Sequence, residues 1–308
     1  MTSRLTVSSS PHIKNSENTS SIMLDVIISL LPATLFGIIL FGLHAAILIA
    51  VCIISCLVFE FISLKLFKNQ GSVKDLTAVV TGLLLALNLP PRFPIWMAII
   101  GCFAAIVVVK QMFGGLGHNF VNPAITARII LLISFPTQMT TYYAPFNVDA
   151  VTTATPLSTQ QNYLSFKELL FGLHGGSIGE TSVIMLAIGG IYLIIRKVIK
   201  PTIPLIFIGG VGLLTLILEG NINGAVFAML TGGLFLGAIF MATDYVTSPT
   251  TTLGQIIFGI GCAILTVIIR SGSASEGVSF AIIFMNLLVP HIDKLTIRKP
   301  FGWEAKNK

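Results

Sequence analysis

The sequence predicts an all-α integral membrane protein of about ten transmembrane helices, arranged as two inverted five-helix repeats. Three observations carry this: a shortage of charge, a series of apolar runs long enough to cross a bilayer, and short motifs that recur between the two halves. Of the 308 residues, 54% are hydrophobic and 10% are charged, and the mean hydropathy is +0.93. A soluble domain carries about 25% charged residues because its surface must be solvated. Eighteen Lys and Arg with twelve Asp and Glu are too few to coat a globule of this length. A soluble enzyme and a nucleic-acid-binding protein are excluded on that ground. The net charge of +6 needs no anionic partner, since cytoplasmic loops of membrane proteins collect Lys and Arg.

Residues 1–21 are rich in Ser, Thr and Asn and lack the basic-then-apolar order of a signal peptide; they are expected to form a cytoplasmic N-terminal tail. A helix crossing about 30 Å of hydrocarbon needs about 20 mostly apolar residues. Runs of this kind lie at 22–42, 44–66, 76–89, 94–113 and 120–136, the first five-helix repeat (22–136). A long polar stretch follows at 137–181. The second repeat (182–293) holds runs at 182–199, 201–218, 222–242, 253–270 and 276–293, before a basic C-terminal tail at 294–308. Thr81-Gly82-Leu83-Leu84 in the first half recurs as Thr231-Gly232-Gly233-Leu234 in the second. Gly101-Cys102 with Lys110 recurs as Gly261-Cys262 with Arg270. Five spans per repeat is an odd number, so the halves have opposite orientation, an architecture whose sites gather at interrupted helices. Interruptions are expected at Asn88-Leu89-Pro90-Pro91, which ends the third span, and at Asp244 to Pro249, which ends the eighth.

With ten spans both termini share a side. Placing them in the cytoplasm puts fourteen of the eighteen basic residues there. Arg92, Lys167 and Arg270 fall outside and Arg128 falls within a span. This orientation satisfies the positive-inside rule and turns the 137–181 loop outward. Ordered loops of that length are usually functional.

Several constellations can carry chemistry. The loop holds Asp149-Ala150-Val151-Thr152-Thr153-Ala154-Thr155-Pro156-Leu157. Pro156 biases Thr155 towards an extended backbone, Ala154 leaves its hydroxyl open, and Asp149 supplies a nearby carboxylate; a plain solvated loop has the same composition. The run Phe113 to Ala124 places Gly114, Gly115 and Gly117 before Asn122-Pro123, which opens the fifth span. Such glycines serve close approach to a ligand or to another helix, and the run has neither the Lys-Ser/Thr of a P-loop nor a preceding strand. Arg128 lies about two turns, roughly 9 Å, into that span. An intramembrane Arg must be paired, face a polar cavity or snorkel out. Asp25 and Glu60 are the buried acids of the first two spans, read either as members of an ion path or as solvated near an interface. Cys52, Cys56, Cys102 and Cys262 all lie in apolar runs; their spacing favours packing over an iron–sulfur cluster.

The order and spacing of these pieces resemble the RnfD family, the D subunits of Rnf electron-transport complexes, relatives of the B subunit of the sodium-pumping NADH:quinone reductase. The resemblance is carried by Ser10-Pro11-His12-Ile13, Leu31-Pro32-Ala33, Thr81 to Ala86 with Pro90-Pro91, Lys110 to Pro123, Ser134-Phe135-Pro136, Asp149 to Leu157, and Met241-Ala242-Thr243-Asp244. It implies a membrane flavoprotein subunit, not catalytic alone, whose loop threonine is joined to FMN by a phosphodiester that a flavin transferase installs from FAD on the outer side. The family pattern of Asp, two residues, Ser/Thr, a small residue, Ala/Ser and Thr maps onto Asp149, Thr152, Thr153, Ala154 and Thr155. Thr155 is therefore the expected attachment point, with Asp149 and Thr152 as recognition residues. Thr153 stands where Gly or Ser is usual. Arg128 and Asn122 are expected beside the flavin or its phosphate, on charge and depth alone.

The resemblance further implies partners: the A, B, C, E and G subunits of an Rnf complex, the transferase, and membrane lipid. Electrons would pass from ferredoxin to NAD⁺ with export of Na⁺ or H⁺, in the cell membrane of a prokaryote. A second, non-covalent flavin, riboflavin, is implied by the related reductase subunit, without assigned ligands. Two other readings stay open on the sequence: the reductase B subunit itself, and a flavin-free channel of the urea or ammonium type, which also uses inverted five-helix repeats.

Overall fold

A computed structural model describes residues 18–67, 72–143, 145–146, 152–153, 166–180, 182–272 and 277–297. All ten expected apolar segments are helical. In the first half these are α1 (Thr19–Phe41), α2 (Leu43–Phe67), α3 (Thr77–Leu87), α4 (Ile95–Phe103) and α5 (Pro123–Ser134), where α4 continues as a π-helix over Ala104–Gln111. A short α6 (Pro136–Met139), a two-stranded hairpin of β1 (Tyr142–Tyr143) and β2 (Thr152–Thr153), and α7 (Phe166–Phe171) follow. The second half holds α8 (Val183–Ile195), α9 (Thr202–Glu219), α10 (Ile222–Leu230), α11 (Leu234–Leu236) with a π-helical extension over Gly237–Met241, α12 (Thr252–Gly272) and α13 (Gly277–Thr296).

Helices α1, α2, α9, α12 and α13 are long and apolar enough to cross a membrane by themselves. Their outward faces carry large apolar side chains such as Leu35, Ile39, Phe61, Ile217 and Ile268, as lipid contact requires. The shorter helices α3, α4, α5 and α8 lie among them. The eighth span differs from the expectation of one run over 222–242: it bends by 61° between α10 and α11. Gly232 and Gly233 sit there at φ 65° and 66°, a left-handed conformation that ends one helix and restarts another in a new direction. Thus the Thr-Gly-Gly motif is itself a break, in addition to the one expected at Asp244 to Pro249.

Packing recurs between the halves. Helix α2 lies on α3 and α4, as α9 lies on α10 and α12; α4 with its π-helix meets α5 as α12 meets α13; and α1 packs against α8, its counterpart. Polar ties define two ends of the bundle. At one, Ser20 Oγ donates to the Lys74 carbonyl at 3.3 Å, Arg196 to Asp25 at 3.1 Å, and the Thr250 amide to Asp293 at 3.2 Å. At the other, the Phe146 amide donates to the Leu40 carbonyl at 3.0 Å, and His44 Nδ1 lies 3.0 Å from the Pro91 carbonyl. The amides of Ile178 and Gly179 reach further in and donate to Leu89 and Leu87, at the end of α3. The connection between the halves therefore dips into the bundle.

Candidate functional site

The hairpin anchors the connection. Tyr142 faces Thr153 and Tyr143 faces Thr152 in antiparallel register, so Thr152 and Thr153 are held at the end of the bundle that carries the α1–α2 turn. Thr152 belongs to β2; Asp149 and Thr155 lie outside the described residues.

Asn122 caps α5. Its Oδ1 accepts from the amides of Ala124 (3.0 Å) and Ile125 (3.3 Å), and its Nδ2 donates to the Met241 carbonyl at 3.2 Å. Pro123 at the first helical position needs no acceptor for an amide, so the sequence Asn-Pro starts a helix and ties it to the end of the eighth span.

Arg128 is buried on the same helix and does not snorkel. Its Nη1 donates to Glu180 Oε1 at 2.6 Å and to Asn88 Oδ1 at 2.5 Å. Asn88 ends α3, and Glu180 arrives on the inward-dipping connection, so three separated segments meet on one guanidinium. Glu180 also lies against the break in the eighth span, where a Cβ on Gly233 would fall 2.5 Å from its Oε1. Arg270, expected at the outer end of the 253–270 run, is in the last turn of α12 and turned inward. It donates to the carbonyls of Ala228 (2.7 Å), Thr231 (2.9 Å) and Gly232 (3.3 Å). The carbonyl end of α10 thus meets a cation and the start of α11 meets a carboxylate, the arrangement that helix dipoles favour.

The other buried acids are also paired. Glu60 accepts from Lys110 Nζ at 2.5 Å, and Lys110 donates in addition to Thr77 Oγ1 at 2.7 Å. Asp25 accepts from Tyr192 at 2.9 Å and from Arg196. Charges at membrane depth are tolerated in such pairs. Cys52, Cys56 and Cys102 are free and buried between α2 and α4, and Cys262 is buried on α12. Among the described residues no group of His, Cys, Asp or Glu has metal-binding geometry.

A cleft of about 110 Å³ opens between the halves at the end of the bundle that carries Asp25 and Arg196. Thr77 and Thr81 of α3, Lys110 at the end of the π-helix, Asn119 and Asn122 of the glycine loop, and Thr243, Asp244 and Tyr245 after the eighth span supply its polar lining; Val26 and Phe240 are among its apolar walls. Asn119 Oδ1 is buried there with no hydrogen-bond partner among the described residues. A buried amide oxygen left unpaired costs about 1–3 kcal/mol, so this oxygen calls for a donor beyond the described residues, water included. Burial pushes the Asp244 carboxyl up, against the hydrogen bond from Thr247. Arg128 does not line this cleft. The structure brings Asn122 to it and draws Arg128 into the Glu180–Asn88 cluster.

A sequence model of the NQR2, RnfD, RnfE family matches residues 6–302. The chain belongs to this family. It is 46% identical to the D subunit of the Na⁺-translocating ferredoxin:NAD⁺ oxidoreductase complex of Acetobacterium woodii, over 97% of this chain and 95% of that one. It is 44% identical to the D subunit of the proton-translocating ferredoxin:NAD⁺ oxidoreductase complex of Clostridium ljungdahlii, over 96% of each. A third relative, the D subunit of the ion-translocating oxidoreductase complex of Stutzerimonas stutzeri, is 37% identical over 93% of each. All three are named as subunits of an oxidoreductase complex. A multi-pass, all-α membrane subunit is what the family and the ten apolar helices jointly establish. Within it, sequence reasoning overlooked Asn119, Glu180 and Asn88 as site residues. Asn119 stood in the motif and was legible as a second amide three positions before Asn122, whereas nothing local marks Glu180 as the partner of a residue 52 positions earlier.

Proposed function

We propose that this chain is the D subunit of an ion-translocating ferredoxin:NAD⁺ oxidoreductase complex, a membrane flavoprotein carrying FMN on Thr155 through a phosphodiester. Near-full-length identity of 46% to a protein so named carries the reading. The Asp149–Leu157 motif supports the covalent site, and the hairpin supports its position, because it ties Thr152 and Thr153 to the end of the bundle away from Arg196, Lys197 and Lys200. By the positive-inside rule that end faces out, and both termini are cytoplasmic. Asp149 and Thr152 then serve recognition by the flavin transferase, and the A, B, C, E and G subunits of the Rnf complex are the partners. The transported ion is Na⁺ in the name of one close relative and H⁺ in the other.

For the second, non-covalent flavin, riboflavin, we propose the cleft at the opposite end as its place, on its amide and hydroxyl lining. A bound flavin supplies one- and two-electron exchange, while the protein supplies position and electrostatics. Asn119 Oδ1 would accept from a ring N–H, and Thr81 and Thr243 would hold polar edges of the ligand. Asp244, its carboxyl shifted up by burial, would keep or release a proton at the cleft wall. Asn122, already committed to the α5 cap and the Met241 carbonyl, fixes the geometry of that wall.

In-gel fluorescence of the denatured protein, expressed with its transferase, tests the covalent site. A fluorescent band that disappears in Thr155→Ala is expected; a dark wild-type band refutes the reading. For the cleft, Asn119→Leu is expected to weaken retention of acid-extractable flavin about tenfold, the worth of one buried hydrogen bond of about 1.4 kcal/mol, with the covalent band unchanged. Equal retention in wild type and variant would exclude Asn119 as a ligand.

A further inference from the structure

The turn between α8 and α9, residues 196–201, borders the cleft at the end of the bundle where it opens. Helix α8 stops there in a left-handed cap. Lys197 has φ 58°, its amide donates to the Ile194 carbonyl at 3.0 Å, and the Val198 amide returns to the Leu193 carbonyl at 2.9 Å. A cap of this kind folds the next residue back over the last turn of its helix. Val198 is buried as a result, and with Leu193 and Ile199 it lines the cleft. Glycine is the usual residue at such a cap. Lys197 adopts the conformation against a steric cost, so ties from outside the turn matter to its shape.

Two such ties reach the turn, one from each repeat. In the first repeat, Asp25 Oδ2 of α1 accepts from Arg196 Nη2 at 3.1 Å and from its Nε at 3.3 Å. Asp25 Oδ1 accepts from the Tyr192 hydroxyl at 2.9 Å, one helical turn before Arg196, so both carboxylate oxygens are engaged on α8. Asp25 is buried and stands between Met23 and Val26, which line the cleft. In the second repeat, the Tyr245 hydroxyl, on the interruption after the eighth span, donates to the Val198 carbonyl. The turn is thus fastened to α1 at its start and to the opposite repeat at its middle.

We propose that the 196–201 turn is a lid on the cleft, latched by Asp25 through Arg196 and by Tyr245 through the Val198 carbonyl, and that a ligand enters or leaves only when both latches part. The inference rests on the reading of this cleft as the place of the non-covalent flavin and adds the regulation of that site. Arg196 is not part of the cleft lining; its side chain is 55% exposed at the rim. The lid closes whether the cleft is filled or empty. Weakening a latch therefore speeds entry and exit together and leaves affinity where it was, unlike the loss of a ligand contact.

The test uses the intact complex and follows the acid-extractable flavin: its release into flavin-free buffer, and the rebinding of added riboflavin to the stripped complex. Arg196→Gln removes a partly exposed ion pair and Tyr245→Phe removes one hydrogen bond. Each is expected to speed release and rebinding alike by up to about fivefold. The double variant is expected to speed both by up to about twenty-five-fold, because the two ties share no partner. Arg196→Lys, which keeps the ion pair, and Lys200→Gln, an exposed cation on the same turn, are expected to match wild type. The exposed position of Arg196 lets Arg196→Gln keep the fold, so it decides the matter should Tyr245→Phe fail to assemble. Wild-type rates in the latch variants would overturn the lid while leaving the flavin reading intact. Faster release with unchanged rebinding would make these residues ligand contacts and also overturn it. A wild-type complex without acid-extractable flavin would overturn the lid together with the reading on which it rests.

Discussion

Replacing Arg128 with Met is expected to destabilise the folded protein by about 3–5 kcal/mol, the usual cost of stripping one partner from a buried ion pair. The guanidinium is shielded from solvent and holds Glu180 at 2.6 Å and Asn88 at 2.5 Å. Without it, Glu180 remains buried with a charge it cannot solvate, and the connection that delivers it loses its innermost tie. The four buried cysteines, Cys52, Cys56, Cys102 and Cys262, provide a reporter: their labelling by a fluorogenic maleimide during heating in detergent follows unfolding. The midpoint for Arg128→Met should fall by several degrees. Glu180→Gln should cost less, because an amide still accepts from the guanidinium. The double variant Arg128→Met/Glu180→Met should recover much of the loss, since apolar groups of similar volume replace a buried pair at little net cost. Independence of the two single effects, with no recovery in the double variant, would show that the pair does not act as a unit.

The same cluster shows what was readable in the sequence and what was not. Span number and order follow from composition, because a bilayer demands long apolar runs and little charge. Arg128 was visible as an anomaly, an uncompensated cation inside an apolar run. Its partners were not visible: Glu180 is one acid in a polar loop, and only the Ile178 and Gly179 amides, bonded to Leu89 and Leu87, explain how that loop enters the bundle. Pairing of this kind is non-local and leaves no periodic trace. Arg270 was placed only by side. Counted as a charge at the outer end of the 253–270 run, it closes the carbonyl end of α10, and its match with Lys110 in the repeated motif was the better guide to that role. Both residues end a helix after a Gly-Cys pair and both turn inward, Lys110 onto Glu60 and the start of α3.

The glycines carry a further consequence, because the repeats touch through them. A Cβ on Gly189 of α8 would fall on the Ser29 carbonyl oxygen of α1, far inside any contact distance. Gly189→Ala is therefore expected to destabilise by about 2–3 kcal/mol, the upper part of the range for overpacking, although Ala is the better helix former by about 1 kcal/mol. Gly209→Ala on α9 has nothing within 4 Å of the added carbon and should show the propensity gain alone, with the opposite sign. The obstruction at Gly189 is backbone. Trimming the nearby Phe240, whose Cζ stands 3.1 Å from the added carbon, should not rescue the variant. Only separation of α1 from α8 relieves it, and that separation opens the seam beside which Asp25 meets Tyr192 and Arg196. Cysteine labelling should thus report a lower midpoint for Gly189→Ala and for Gly189→Ala/Phe240→Leu alike. A rescued double variant would show that the contact yields through the Phe240 side chain and that the two helices are not held at backbone distance.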